Sequence, residues 1–171
     1  MLAPQGIPPH EQCVVILCGL PGSGKSTVSR LLVQRSAIFG IVNQDELGNR
    51  RTCERLFGEL LLQGASVICD RCNFNRQQRE VWIKITRDIL IHKVKIFAVV
   101  LEVPEAVCIT RVHNRVNHPN LVGPEGARVI NIIQRQYCRP SMDEGFDSIF
   151  VCSTDEDIER ACCEIERQIV E

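Results

Sequence analysis

Residues 19–27 read Gly19-Leu20-Pro21-Gly22-Ser23-Gly24-Lys25-Ser26-Thr27, which matches the pattern G-x-x-x-x-G-K-[ST]. The stretch follows an apolar run at 13–18 that is typical of a buried strand, and it precedes a segment with apolar residues at helical spacing. This strand–loop–helix context predicts a phosphate-binding P-loop, the alternative being a glycine-rich turn without a ligand.

The chemistry of the loop residues indicates how they would hold a nucleoside triphosphate. Glycines let successive backbone N–H groups and the N-terminus of the following helix point at phosphates. Lys25 is predicted to reach the outer phosphates, and the Ser26 hydroxyl is a predicted ligand of Mg²⁺. The predicted nucleotide-binding residues of the loop are Gly22, Ser23, Gly24, Lys25, Ser26 and Thr27.

Length and composition predict one intracellular globular domain. The chain has 171 residues, of which 44% are hydrophobic and 24% charged. Residues 1–12 are rich in proline and suggest a flexible leader, so the P-loop kinase domain is expected at 13–171. The longest apolar run, at 13–20, is too short to cross a membrane. Several of the ten cysteines fall in strand-like runs, so we expect them to be reduced thiols. For Cys69 and Cys72 we expect ordinary packing rather than a metal or redox site.

The net charge of −1 conceals an uneven distribution along the chain. Residues 154–171 carry a net charge of −5, which leaves +4 on the remainder. A modest positive field around the P-loop suits a polyanionic substrate, although an acidic, solvated last helix would produce the same balance.

Strand-like and helix-like segments alternate along the chain. Strands are predicted at 13–18, 37–42, 65–69, 93–103 and 149–152, with helices between them, including one at 46–63. The pattern predicts an α/β fold with a parallel five-stranded sheet between helices.

Two aspartates follow predicted strands, at the sheet edge where open α/β folds bind ligands. Asp45 is a candidate general base that accepts the proton of an attacking hydroxyl, and its alternative role is to cap the next helix. Asp70 has the form of an acid that binds Mg²⁺ directly or through water, and its alternative role is to stabilise the turn that follows.

Two arginines precede a stretch rich in helix breakers. Arg111 and Arg115 are four residues apart and share a helix face, just before the stretch at 118–126, which resembles a mobile lid. An arginine supplied by the same chain can stabilise a phosphoryl group during its transfer. Arg111 and Arg115 are therefore candidate catalytic residues, together with Lys25 and Asp45. Arg115 is also a candidate nucleotide ligand. The alternative is a solvated helix face.

A further set of polar residues could line a groove for an acceptor and contact its phosphates or sugar. The predicted substrate-binding residues are Arg51, Arg71, Asn73 and Arg79. Phe74 is the most plausible aromatic residue to stack on a base, but core burial is the more ordinary fate for it.

The combined motifs resemble the kinase domain of polynucleotide 5′-hydroxyl kinases, including the bifunctional polynucleotide kinase/phosphatases. The likeness lies in GLPGSGKST, VNQDELG, QGASVICDRCNFNRQQR and VCITRVHNR, which together span most of 13–118. It implies an α/β, P-loop kinase-like fold with a helical lid, and Mg²⁺-dependent transfer of the terminal phosphate of ATP or GTP to the 5′-hydroxyl of DNA or RNA. It also implies that Asp45 is the general base, that Arg115 is the lid arginine, and that the domain is fused or bound to other repair or RNA-processing domains.

The sequence departs from this family at two places. Asp70-Arg71-Cys72-Asn73 replaces the usual Asp-Asn-Thr-Asn, and Gly48 stands where phage-type enzymes place an acceptor-binding arginine. Two other functions therefore stay open: a small-molecule P-loop kinase of the nucleoside, gluconate or zeta-toxin-like kind, or a nucleotide-gated binding module without turnover.

Overall fold

A computed structural model describes residues 11–90, 94–114 and 123–170 of the chain. Its strands are β1 (Cys13–Cys18), β2 (Phe39–Asn43), β3 (Ser66–Asp70), β4 (Lys95–Leu101) and β5 (Ser148–Cys152). Its α-helices are α1 (Lys25–Arg35), α2 (Gln44–Leu47), α3 (Arg50–Leu62), α4 (Arg76–Ile89), α5 (Glu105–His113), α6 (Gly123–Gln136) and α7 (Asp155–Val170), with a 3₁₀ turn at Met142–Glu144. The predicted leader and the predicted lid lie largely outside the described residues.

The five strands form one parallel sheet in the order β2-β3-β1-β4-β5. β1 lies at the centre, where all six of its residues are buried. Its position explains the nearly continuous apolar sequence, because a central parallel strand is covered on both faces. The predicted α/β, P-loop kinase-like fold is confirmed.

Alternate residues of β1 point into two separate cores. Val15 and Leu17 pack with α1 and α7, whereas Val14 and Ile16 pack with α3 and α4. The period-2 alternation of a strand therefore places one helical layer on each face of the sheet.

A third apolar cluster lies beside the P-loop rather than across the sheet. Leu20 of the loop packs with Cys108 and Val112 of α5 and with Ile130 and Ile133 of α6. This contact places α5 and α6 against one side of the nucleotide loop.

The single helix predicted at 46–63 is wrong, because the segment forms two helices. Gly48 adopts a φ of +79° after α2, and the side chain of Asn49 caps α3 by accepting a hydrogen bond from the Thr52 backbone N–H. A left-handed glycine ends a helix at little steric cost, so the apolar periodicity continues through a break that it does not reveal.

No helix among the described residues is long and apolar enough to cross a membrane. All ten cysteines are free thiols.

Candidate functional site

A cavity of about 400 Å³ opens at the carboxyl ends of the central strands. It brings the P-loop together with the residues that follow β2 and β3. Its lining includes Gly22, Gly24, Lys25, Ser26, Thr27, Arg30, Asn43, Gln44, Asp45, Asp70, Arg71, Cys72, Phe74, Gln78, Val129 and Ile133. Both predicted acids therefore lie at the same cavity as the P-loop.

The backbone of the P-loop has the conformation that an anion cradle requires. Gly22 and Gly24 have φ angles of +84° and +101°, a region that residues with a Cβ rarely adopt. α1 begins at Lys25, and its N-cap, Gly24, has no side chain with which to cap the helix. The first amide groups of α1 are thus available to a phosphate.

Two side chains of the loop, those of Lys25 and Ser23, are buried. The Lys25 ammonium group donates to the carbonyl oxygens of Gly19 (3.1 Å) and Leu20 (2.7 Å), and Lys25 lines the cavity. The Ser23 hydroxyl has no hydrogen-bond partner among the described residues. It faces Gly19, since a Cβ at Gly19 would lie 2.7 Å from it, and Ser23 does not line the cavity.

Asp70 is buried beside the start of α1. Its carboxylate accepts a hydrogen bond from the Asn43 side-chain amide at 3.3 Å, and the Ser26 and Ser29 hydroxyls lie close enough to lower its pKa. Burial raises the pKa of Asp70, although the Ser26 hydrogen bond and the charge of Lys25 oppose that rise. A buried carboxylate next to a hydroxyl is a donor set that suits Mg²⁺, so Asp70 and Ser26 fit this ion.

Asp45 lies in α2, two residues beyond the end of β2. The cap of this helix is Asn43, whose side chain accepts a hydrogen bond from the Asp45 backbone N–H at 2.8 Å. The alternative interpretation of Asp45 as the N-cap is therefore wrong. Its exposed carboxylate lines the cavity and is close enough to Asp70 to contribute to the raised pKa of that acid.

The structure places one of the two predicted lid arginines. Arg111 is exposed on α5, and its guanidinium donates to the Gly22 carbonyl oxygen at 3.2 Å, so it contacts the P-loop. Arg115 lies outside the described residues.

Two of the predicted acceptor-binding arginines are accessible. Arg71 lines the cavity, with its guanidinium carbon 5.5 Å from the centre of the Trp82 ring, a cation–π geometry. Arg51 is exposed on α3 but does not line the cavity.

Asn73 and Arg79 are buried, which corrects their predicted role as substrate ligands. The side chain of Asn73 donates to the Leu17 carbonyl at 2.8 Å and accepts from the Trp82 indole at 3.0 Å. Arg79 is 0% exposed and donates to Glu144, to the Asn73 carbonyl and to the Cys138 carbonyl. These bonds tie the loop after β3 to α4 and to the segment after α6, so both residues position the loop and do not touch an acceptor.

Sequence reasoning missed Arg30 and the apolar wall of the cavity. Arg30 lies on α1, one and a half turns after Lys25, and lines the cavity. Phe74 is half-buried, lines the cavity with Val129 and Ile133 of α6, and packs against the apolar cluster beside the P-loop. The spacing of Arg30 from Lys25 could have indicated that Arg30 reaches the cavity. The apolar wall could not be predicted in this way, because it depends on how α6 packs.

A family model described as an AAA domain matches residues 14–59 and 46–137, which include the P-loop and both cavity-lining acids. The chain belongs to this AAA-domain family. Every residue that lines the cavity described above lies within the matched segments.

Two curated proteins are similar to this AAA domain in sequence. The transcription factor bHLH140 of Arabidopsis thaliana is 37% identical over 158 residues, which are 88% of this chain and 17% of that protein. The bifunctional polynucleotide phosphatase/kinase of Schizosaccharomyces pombe is 28% identical over 141 residues, which are 82% of this chain and 33% of that protein. The chain therefore spans a third or less of the length of these relatives.

Solved structures of kinases share the fold. A fungal RNA kinase aligns with a TM-score of 0.71 and 16% identity, over 91% of this chain and 86% of its own. The APS kinase CysC of Mycobacterium tuberculosis, in complex with AMPPNP and APS, aligns with a TM-score of 0.58 and 17% identity, over 94% of this chain and 98% of its own. The matches confirm the P-loop kinase-like fold and the resemblance to polynucleotide kinases.

Proposed function

We propose that this domain is a polynucleotide 5′-kinase, which transfers the γ-phosphoryl group of ATP or GTP to the 5′-hydroxyl of DNA or RNA. One observation carries the proposal: the Asp45 carboxylate lines the same cavity as the P-loop. A protein that only binds nucleotide has no need of a base beside the phosphates. The similarity to a polynucleotide phosphatase/kinase supports the choice of acceptor.

The residues of the cavity fall into two groups: those that bind the phosphate donor and those that act on the acceptor hydroxyl. The P-loop amides and Lys25 bind the donor phosphates, and Asp45 accepts the proton of the attacking hydroxyl. Arg111, at the Gly22 carbonyl, and Arg115 would orient and neutralise the transferring group when nucleotide binds. Ser26 and Asp70 would hold Mg²⁺, which when bound would neutralise charge on the phosphate oxygens.

Incubation of the protein with radiolabelled ATP or GTP and 5′-hydroxyl oligonucleotides tests the proposal directly. We expect label at the 5′ end of DNA or RNA, dependent on Mg²⁺. Transfer to a metabolite with none to any oligonucleotide would contradict the acceptor assignment.

Asp45→Asn separates catalysis from nucleotide binding. We expect kcat to fall by about 10²- to 10⁴-fold, the usual contribution of a general base, while nucleotide affinity is unchanged. Glu46→Gln is the matched control, because Glu46 is the next residue, is also exposed and does not line the cavity. If the wild type has no turnover to lose and still binds nucleotide, the domain is a nucleotide-gated binding module.

A small-molecule kinase is the second candidate function. The cavity of about 400 Å³ is large enough for a metabolite, and the APS kinase shares the fold. A screen of nucleosides, sugars and sugar acids in the same labelling assay decides between the two acceptor classes.

A further inference from the structure

Asn73, in the loop after β3, has a backbone conformation that costs free energy. Its φ is +43°, and among the described residues it is the only one other than glycine with a positive φ. Asparagine tolerates this left-handed region better than most residues, but the conformation persists only where surrounding contacts hold it. Asn73 is also fully buried. The loop therefore combines a strained backbone with a buried polar side chain at one position.

The Asn73 side chain continues the hydrogen bonding between β1 and β3 beyond their last paired residues. The register of these strands ends with Ile16 opposite Cys69. A longer parallel strand would offer its next backbone N–H to β1, but the Arg71 N–H donates back to the Cys69 carbonyl at 3.1 Å. The Asn73 amide donates instead to the carbonyls of Leu17 (2.8 Å) and Cys69 (3.4 Å). One side chain thus joins the ends of both strands.

Helix α4 holds Asn73 in this position. The Trp82 indole donates to the Asn73 side-chain oxygen at 3.0 Å, and the Arg79 guanidinium donates to the Asn73 backbone carbonyl at 3.0 Å. Both donors belong to buried residues. These bonds orient the side chain, so that its amide nitrogen, rather than its oxygen, faces the Leu17 carbonyl.

The connection lies directly next to residues of the cavity. Asp70 ends β3 three residues before Asn73, and the P-loop begins at Gly19, two residues after Leu17. The Gly19 N–H donates to the Cys72 carbonyl at 3.1 Å, so the P-loop and the loop after β3 meet at a second point. These two bonds limit how far Asp70 can move from the start of α1.

We infer that Asn73 is a positioning residue of the donor site: its amide holds the end of β3 against the end of β1 and thereby keeps Asp70 beside Ser26. This inference rests on the proposed function, which assigns Mg²⁺ to Asp70 and Ser26. Asn73 does not line the cavity, so it acts through these two residues and touches no ligand. Residues that orient metal ligands usually contribute about 10- to 100-fold to metal affinity.

The gain in nucleotide affinity that Mg²⁺ provides measures this role. The full chain, as wild type and as Asn73→Gly, is titrated calorimetrically with a non-hydrolysable ATP analogue, once with Mg²⁺ and once with EDTA. Glycine keeps the left-handed backbone and removes only the side chain. We expect the gain to fall about 10- to 100-fold in Asn73→Gly, whereas the affinity in EDTA, which depends on the P-loop, should not change.

Two further variants separate the amide contact from a general loss of stability. Asn73→Asp keeps the side-chain shape and an oxygen for the Trp82 indole but lacks the amide donors, so it should lose the gain as Asn73→Gly does. Thr86→Val is the control, because the Thr86 hydroxyl is buried on α4, donates to the Trp82 carbonyl at 2.8 Å and lies outside the cavity. Thr86→Val should lower the melting temperature and leave the gain unchanged.

Amide hydrogen exchange of the ligand-free protein tests the same connection without nucleotide. The Gly19 N–H is bonded to the loop that Asn73 holds, so a loosened loop should expose it more often. We expect exchange at Gly19 to be about 10-fold faster in Asn73→Gly, the equivalent of one net hydrogen bond. In Thr86→Val exchange at Gly19 should match that of the wild type.

Two results would overturn the inference. One is an Asn73→Gly protein with a lower melting temperature but an unchanged Mg²⁺ gain and unchanged exchange at Gly19, since Asn73 would then only stabilise the fold. The other is an equal loss of the gain in Thr86→Val.

The proposed function fails separately. If no acceptor is phosphorylated in the labelling assay, the calorimetric comparison still stands. If the wild type binds the analogue with no gain from Mg²⁺, the assignment of Asp70 and Ser26 to this ion is wrong, and exchange at Gly19 decides the role of Asn73. Faster exchange in the Asn73 variants then supports its hold on the P-loop, and unchanged exchange overturns it.

Discussion

Ser23 is the residue at which the P-loop leaves a buried polar group unpaired. Its hydroxyl has no hydrogen-bond partner among the described residues, which costs free energy. Ser66 of β3 offers the opposite case, because its buried hydroxyl accepts a hydrogen bond from the Cys13 N–H at 3.0 Å. The comparison of the two serines isolates the effect of a missing partner.

Ser23→Ala should therefore raise the free energy of unfolding of the nucleotide-free protein by about 1 kcal/mol, because it removes an unpaired buried hydroxyl. It should leave unchanged the stabilisation that nucleotide provides, about 2.7 kcal/mol at a concentration 100 times Kd, because the hydroxyl faces Gly19 and Ser23 does not line the cavity. Urea unfolding with and without Mg²⁺ and a non-hydrolysable ATP analogue measures both quantities. Ser66→Ala should instead cost about 1–3 kcal/mol in either condition; the same response from both variants would contradict the assignment of Ser23.

At the scale of elements, the contact between the P-loop and α5 depends on the absence of a side chain at Gly22. A Cβ at Gly22 would lie 2.7 Å from the Cys108 carbonyl oxygen. Gly64, at the end of α3, has nearly the same backbone angle (φ +83° against +84°) and no heavy atom within 4 Å of such a Cβ. A side chain would strain the backbone at both positions, but of these two positions only at Gly22 would it also clash with α5.

Gly64→Ala should cost about 1–2 kcal/mol, the penalty of a left-handed residue with a Cβ. Gly22→Ala should cost about 1–3 kcal/mol more, because α5 must move away from the loop. Equilibrium urea unfolding of both variants provides the comparison. Equal losses would mean that α5 adjusts without cost and does not constrain the loop.

At the scale of the whole molecule, a buried ion pair joins distant parts of the chain. Arg79 of α4 and Glu144 of the 3₁₀ turn lie 65 residues apart, with an N···O distance of 2.6 Å and side-chain exposures of 0% and 3%. Arg76 and Asp143 join the same two segments at 2.7 Å, but with exposures of 53% and 65%. Solvent screens the second pair and not the first.

Arg79→Met should destabilise the protein by about 3–5 kcal/mol, because it leaves Glu144 buried and unpaired. Adding Glu144→Leu should recover part of the loss, since no uncompensated charge then remains. Arg76→Met should leave the unfolding midpoint in urea unchanged. A similar loss from Arg76→Met and Arg79→Met would refute the difference attributed to burial.

Much of the fold followed from local patterns. The P-loop motif, the apolar run of β1 and the alternation of strands and helices are determined by neighbouring residues, so the parallel sheet and the place of Asp45 and Asp70 were predictable. The break at Gly48 was not, because the apolar periodicity continues across it and a glycine in a helical pattern does not by itself end a helix.

The roles of the arginines were the least predictable part of the site. From the sequence, Arg71 and Arg79 were equal candidates for the acceptor groove, yet one lines the cavity and the other is buried against Glu144. Arg30 gave no motif signal, and the packing of α1 on β2 and β3 brings it to the cavity of Asp45.

The sequence by itself determined the donor half of this protein, because a P-loop is a continuous segment whose glycines, lysine and serine act through their own backbone and immediate neighbours. Only the tertiary structure could bring together the residues of the proposed acceptor half. Its candidates, Asp45 and Arg71, come from separate segments with Phe74 and α6 opposite them, and whether a side chain faces a cavity or a core depends on contacts between residues far apart in the chain.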